Sequence, residues 1–205
     1  MTFTVLTGAK TVSGSIKSWQ NYSKIDSEGV LLESEAMIFQ SLRVREMRAS
    51  ETLTVKVGAA GVDLPDGFLD PLKLRDITND SDISIKSEEM IEDLRSWTSG
   101  VLDSGDPSCF AIFDEQFQFD CATTTQWRAR ALFYKKPDVL STSNERSFLT
   151  DRYPHILRMA CLATAARFSH DDEMYNREQR LLEAKIQELN AMDEQSRRGQ
   201  DNPVT

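Results

Sequence analysis

Asp114 and Glu115 stand side by side in "FAIFDEQFQFD" and form the most obvious carboxylate pair in the chain. A glycosidase places its two carboxyl groups on either side of a scissile bond, roughly 5 to 10 Å apart. Adjacent acids in a tight turn point apart, so these two read first as turn residues, with a carboxylate hydrolase as the alternative. The acid-rich "RDITNDSDIS" invites a calcium loop. An EF-hand begun at Asp76 or Asp80 would need Gly at its sixth position and Glu at its twelfth, and neither start supplies them. Cys109, Cys121 and Cys161 make no CxxC pair and read as buried thiols. His155 and His170 lack any metal-ligand spacing and are assigned structural roles. GxSxG, GxxxxGK[ST] and GxGxxG are all absent. The residues therefore nominate no catalytic, cofactor-binding or metal-binding set, and no cofactor is expected.

Charge says more about partners. The net charge is −9, and affinity for phosphates comes from clustered Lys and Arg, so nucleic acid is not an expected ligand. Residues 61–120 hold 15 Asp and Glu against 4 Lys and Arg, a net of −11, whereas residues 121–160 hold 7 basic against 3 acidic, a net of +4. Beyond a solvated acidic surface, this asymmetry would let the acidic face of one copy meet the basic face of another. A chain of 205 residues suits one main core. "MTFTVLTGAK" lacks the basic start and apolar run of a signal peptide, and no stretch approaches the ~18 apolar residues of a membrane span, so a cytoplasmic origin is expected.

The elements alternate in character. "SGSIKSWQNYS", with Ser13 or Ser15 as cap and Ile16 and Trp19 at helical spacing, predicts a short helix. Leu31, Ile38 and Leu42, with Leu32 and Phe39 beside them, predict a second over about 28–48. The period then changes to two. Leu53, Val55 and Val57 predict a strand, the acids at 114 and 115 a hairpin with Phe117 and Phe119 on one face, and Trp127, Ala129, Ala131 and Phe133 another strand stopped by Pro137. Pro154 opens a helix whose Ile156, Ala160, Ala163 and Ala166 predict a buried, closely packed face. After the acids at 171–173, Leu181, Leu182, Ile186, Leu189 and Met192 form the stripe of a last helix about 27 residues and ~40 Å long, more than a core of this size requires. This is an α+β pattern, with β structure inserted between helices.

The ordered pieces "PSCFAIFDEQFQFD", "RARALFYKKPDVLS" and "FLTDRYPHILRMACLATAARFSHDDEMYNREQRLLEAKIQELNAMDEQSRR", with "VDLPDGFLDPLKL" before them, resemble the head-to-tail adaptor (connector) proteins of tailed bacteriophages, of the short-tailed enteric phage type. The resemblance extends over nearly the whole chain. The acidic stretch 76–106 and Asp120-Cys121 depart from the family's pattern. The resemblance implies an antiparallel bundle of about four helices with an inserted β-hairpin or small antiparallel sheet and a long projecting C-terminal helix. The implied domain runs over 1–198, with helices at 13–48 and 151–197 around a β insertion at 52–140, and residues 199–205 as a flexible tail.

The implied role is structural: a dodecameric ring under the portal that extends and seals the channel for double-stranded DNA and offers a docking site to the next tail or nozzle protein. The implied place is the virion's head–tail junction; the alternative role is a phage cell-wall hydrolase acting during infection with carboxylates such as Asp114 or Glu115. On the last helix, Leu189, Met192, Arg197 and Arg198 become the candidates for portal binding, and Leu182 and Ile186 its packing residues against the alanine-rich helix. Because the far end of that helix outruns its neighbour, the end beyond Asn190 is expected to stand free of the core.

Overall fold

The computed structural model describes residues 27–141, 144 and 146–200, with the side chains at 27 and 198–200 excepted, so the short helix expected around Trp19 and most of the tail lie outside the described residues. The chain divides into two compact units, one formed by residues up to Glu46 and from Pro137 onward, the other by Met47–Lys136. Helix α1 (Ser27–Ser41) opens the first unit and buries Val30, Leu31, Ile38 and Phe39, while Leu32 faces solvent. It stops well short of the predicted residue 48. A single 3-10 turn, Arg45–Met47, leads straight into a strand.

The second unit is a large sheet. Its strands are β1 (Arg48–Val55), β2 (Gly61–Asp63), β3 (Phe68–Asp76), β4 (Ser81–Ile85), β8 (Cys109–Phe113), β9 (Gln116–Phe119) and β11 (Trp127–Lys135), hydrogen-bonded in the order β1-β11-β3-β4-β8-β9-β2. The first and last strands of that order, β1 and β2, also lie against each other, so the sheet curls almost to closure. Between β4 and β8 come helix α2 (Glu88–Leu94) and the two-residue strands β5 (Trp97–Thr98), β6 (Val101–Leu102) and β7 (Ser104–Gly105); β10 (Ala122–Thr123) pairs with β7. The connection through α2 makes β4 and β8 parallel, Ser84 opposite Cys109 and Ile85 opposite Phe110, in an otherwise antiparallel sheet.

Inward-facing aromatics fill the curl. Phe110, Phe117, Phe119, Trp127 and Phe133 are buried with Val55, Leu74 and Ile83, and Phe68 packs edge-on to Phe117 and stacked on Phe133, both at 5.5 Å between centroids. Alternation along β11 buries Trp127, Ala129, Ala131 and Phe133 and exposes Arg128, Arg130 and Leu132. At Gly61 on β2 the backbone comes so close to β9 that a Cβ would lie 2.9 Å from the Phe117 carbonyl oxygen.

This architecture overturns the expected helical bundle with a small inserted sheet: the protein is mixed α/β, with a seven-stranded, nearly closed sheet as its largest element. The strands that escaped notice are those whose sequences hide the period. "FLDPLKLRD" carries Pro71, yet β3 accommodates it at a bulge opposite Leu132 and Phe133, before the Leu74–Asp76 stretch that pairs with β4. "SDISI" in β4 buries one residue, Ile83, and so presents no alternation to find. Asp76, weighed above as a calcium ligand, instead ends β3 by accepting the backbone N–H groups of Thr78 and Asn79 at 2.7 and 3.1 Å, an Asx turn that starts the β3–β4 hairpin.

The first unit is completed by α3 (Phe148–Arg152), α4 (Pro154–Phe168) and α5 (Asp172–Gln200). Ser147 caps α3 in a reciprocal capping box with Thr150. Pro154 opens α4, which packs on both α1 and α5. The α4–α5 break has a specific construction. His170 takes φ 57°, its N–H reaching the Arg167 carbonyl at 3.1 Å and that of Asp171 the Ala166 carbonyl at 2.9 Å, a Schellman closure with histidine in the usual glycine position. The Asp171 carboxylate then accepts the Met174 N–H at 3.0 Å and caps α5.

Candidate functional site

At 29 residues α5 extends ~43 Å, and its side chains separate into two stripes. Successive helical residues turn by about 100°, so Leu182, Ile186, Leu189 and Asp193 share one face, while Leu181, Lys185, Glu188 and Met192 share another roughly a quarter-turn away. Leu182 and Ile186 are buried and Leu189 is half-buried. On the second face Leu181 and Met192 are 48% and 59% exposed, with Lys185 paired to Glu188 at 2.6 Å between them. The single apolar stripe expected from sequence is thus two, one packed and one open. An open groove of about 720 Å³ continues the open face toward the start of the helix, lined by Met174, Arg177, Arg180 and Leu181 among others.

The far end of α5 is tied down. The side chain of Asn190 accepts the Arg43 N–H and donates to the Ser41 carbonyl, each at 2.7 Å, and the Asp193 carboxylate accepts the Arg45 N–H at 2.9 Å. This pairing meets the end of α1 and explains why α1 stops there: backbone groups that would have continued the helix are satisfied by α5. The expectation of a freely projecting C-terminal helix is corrected accordingly, because through Asp193 the helix belongs to its own unit. Asn190 and Asp193 read in the sequence as ordinary polar positions and were missed.

Of the remaining expected residues, Ile156, Ala160, Ala163 and Ala166 are buried on α4; Arg197 is half-buried, and Arg198 lies in α5 with its side chain outside the described residues. Two hydroxyls meet where α1 and α4 pack, Ser34 Oγ and Thr164 Oγ1 sharing a hydrogen bond of 3.1 Å, both residues fully buried. Beside them the buried Glu35 carboxylate accepts the Leu140 N–H at 3.0 Å, anchoring the chain as it enters this unit again. Ion pairs Glu33–Arg167 and Glu46–Arg152 join α1 and its extension to α4 and α3.

In the sheet unit Asp114 and Glu115 are the two central residues of the β8–β9 turn, exposed, with φ of 53° and 56°. With Asp63 and Asp66 they border an open groove of about 430 Å³. The pair forms the tight turn of the hairpin, beside the two further carboxylates of that groove. Among the described residues no group of three or more His, Cys, Asp or Glu could hold a metal ion, and no helix is long and apolar enough to cross a membrane. Cys109 and Cys161 are buried and Cys121 is half-buried, all three as free thiols. Burial pushes Cys161 up to about 12 and Cys121 up to about 11.

The family model described as SU10 adaptor protein matches residues 20–205, almost the entire chain. The chain belongs to the SU10 adaptor protein family. SU10 adaptors are head–tail adaptors of tailed phages, structural components of the virion that associate with portal and tail proteins. No curated protein matches the chain. In this SU10 adaptor the match takes in both the helical unit and the sheet unit.

Proposed function

We propose that this SU10 adaptor assembles as a ring, a dodecamer as in the short-tailed enteric phage adaptors it resembles, between the portal and the tail. The ring extends and seals the DNA channel and presents a docking site to the next tail or nozzle protein. The observation that carries this reading is the family match along 20–205. The charge balance supports a conduit: a net charge of −9 gives a lumen little affinity for phosphates, so double-stranded DNA slides through without specific binding.

The portal contact is assigned to the open stripe and the end of α5. Met192 leads, because 59% of its surface is exposed on a helix otherwise held in place at Asn190 and Asp193. Arg197 and Arg198 lie within two turns of it, and Leu189 supports it from the packed stripe. Electron microscopy and sedimentation of the purified chain, alone and mixed with its portal, test this reading. A ring seated on the portal, with Met192→Glu seating at least about tenfold more weakly, is the expected result. A chain that never associates with the portal overturns the role. Normal docking by Met192→Glu overturns the assignment to α5.

A further inference from the structure

The open face of the sheet unit carries two arginines without an acidic partner among the described residues. Arg128 and Arg130 alternate outward on β11, opposite Thr54 and Thr52 on β1, and neither guanidinium has an ion pair among the described residues. On the β3 side the basic groups are already neutralised, Lys73 by Asp82 at 2.8 Å and Arg75 by Asp80 at 2.7 Å. Leu132, next along β11 and 37% exposed, adds an apolar spot to this stripe.

Elsewhere on the same unit an arm shows the complementary chemistry. Helix α2 buries Ile91 against Cys109 and Ala111 but leaves Met90, Leu94 and, just beyond it, Trp97 at 47%, 48% and 57% exposure. Glu89 and Asp93, four residues apart on one side of α2, are exposed beside them. The arm is held firmly. Arg95, its side chain 9% exposed, donates to the Phe119 carbonyl at 3.0 Å and the Gln118 side chain at 2.9 Å, pairs with Glu92, and sits over the Phe113 ring. An apolar face so displayed on a fixed support, rimmed by acids, is built to be covered.

We propose that the Arg128–Arg130–Leu132 stripe of one copy receives the α2–Trp97 arm of a second copy. In the strand order β3 and β4 separate β11 from β8, on which the arm rests, so the two patches are distinct. Two distinct, complementary patches are what a heterologous, ring-closing contact requires. Charge favours a copy of this chain over a nucleic acid, because the acids and the arginines answer each other and the whole molecule is strongly negative. The inference rests on the ring reading and specifies its subunit contact.

The test is a charge swap on the full chain. Arg128→Glu/Arg130→Glu and Glu89→Lys/Asp93→Lys alter exposed side chains, so circular-dichroism melts confirm that each variant folds. Each alone is expected to need at least about tenfold more protein than wild type to assemble, read by light scattering after size exclusion or, with the portal added, by electron microscopy. An equimolar mixture of the two is expected to assemble again, since each then meets opposite charge. Wild-type rings matched by equally good rings from both variants overturn this contact and leave the ring reading standing, as does impairment that mixing does not relieve. Wild type that stays monomeric both alone and with the portal overturns the ring and this contact together.

Discussion

Asn190 on α5 and Arg43 just past α1 are bonded across 147 positions of chain, the Asn190 Oδ1 accepting the Arg43 N–H at 2.7 Å while its Nδ2 holds the Ser41 carbonyl. One side chain therefore fastens the end of the first described helix to the last. Asn190→Ala strips a donor and an acceptor of their partner, and a loss of about 1–2 kcal/mol is expected in urea unfolding. Asp193→Ala, removing the more exposed bond to Arg45, should cost about half as much. A neutral Asn190→Ala would return the far part of α5 to the role of a free end.

The alanine face of α4 gives a second prediction. Ala160, Ala163, Ala165 and Ala166 are all fully buried where α4 packs against α1 and α5, so no space remains for a larger side chain. Ala163→Leu should overpack this site and cost about 1–3 kcal/mol, seen as a lower melting temperature. An unchanged melt would place Ala163 beside room that the packing denies.

Legibility in the sequence followed the local code. The β8–β9 hairpin, the alternation of β11, and the α4–α5 break each carry their signal within a dozen residues, in Asp114-Glu115, in Trp127 to Phe133, and in the acids at 171–173. The sheet's extent did not, because β3 and β4 reveal themselves only through partners: Pro71 is tolerated by a bulge against β11, and Ile83 stands alone as the buried residue of its strand. The end of α1 was equally hidden, since helical periodicity continues past Ser41 and what stops it is Asn190, far along the chain. On α5 the apolar residues were all visible, but only their burial separates Leu182 and Ile186 from Leu181 and Met192. The residues proposed for docking were thus named with a packing residue, Leu189, among them.

Two of the turns that hold non-glycine residues at positive φ invite relief. Glu115, with φ 56°, is the second central residue of a two-residue hairpin turn whose neighbour Asp114 is also positive, the type I′ geometry that favours glycine there. His170, with φ 57°, fills the glycine position of the Schellman closure. The left-handed penalty of ~1–2 kcal/mol exceeds the entropy cost of glycine at ~0.5–1 kcal/mol. Glu115→Gly and His170→Gly should therefore each stabilise by about 0.5–1 kcal/mol in urea titrations. Destabilisation by Glu115→Gly would mean that its side chain, not the backbone, sustains the turn.

Cys161 makes the alkaline limb of stability testable. Its thiol is completely buried, and burial chiefly, with the nearby Glu35 carboxylate adding to it against a hydrogen bond from Ser34, pushes it up to about 12. An unfolded chain releases that proton near pH ~8.5. The folded state thus holds a proton that the unfolded state gives up: the contribution is fully present below pH ~8.5 and is lost as pH rises from there toward about 12. Cys161→Ala lacks the titrating group, while every lysine and tyrosine is common to both proteins and cancels in the difference. Whatever the substitution costs at pH 7 should stay constant to about pH 8 and then shrink steadily up to pH 10.5, measured as the gap between the two urea midpoints. In the folded protein at pH 8 the same thiol should stay unlabelled by a disulfide reagent, and Cys121, pushed up to about 11, should react roughly 100-fold more slowly than an exposed cysteine. A gap that stays flat across this range would show that Cys161 reaches solvent before the chain unfolds, and that the contact between α1 and α4 opens on its own.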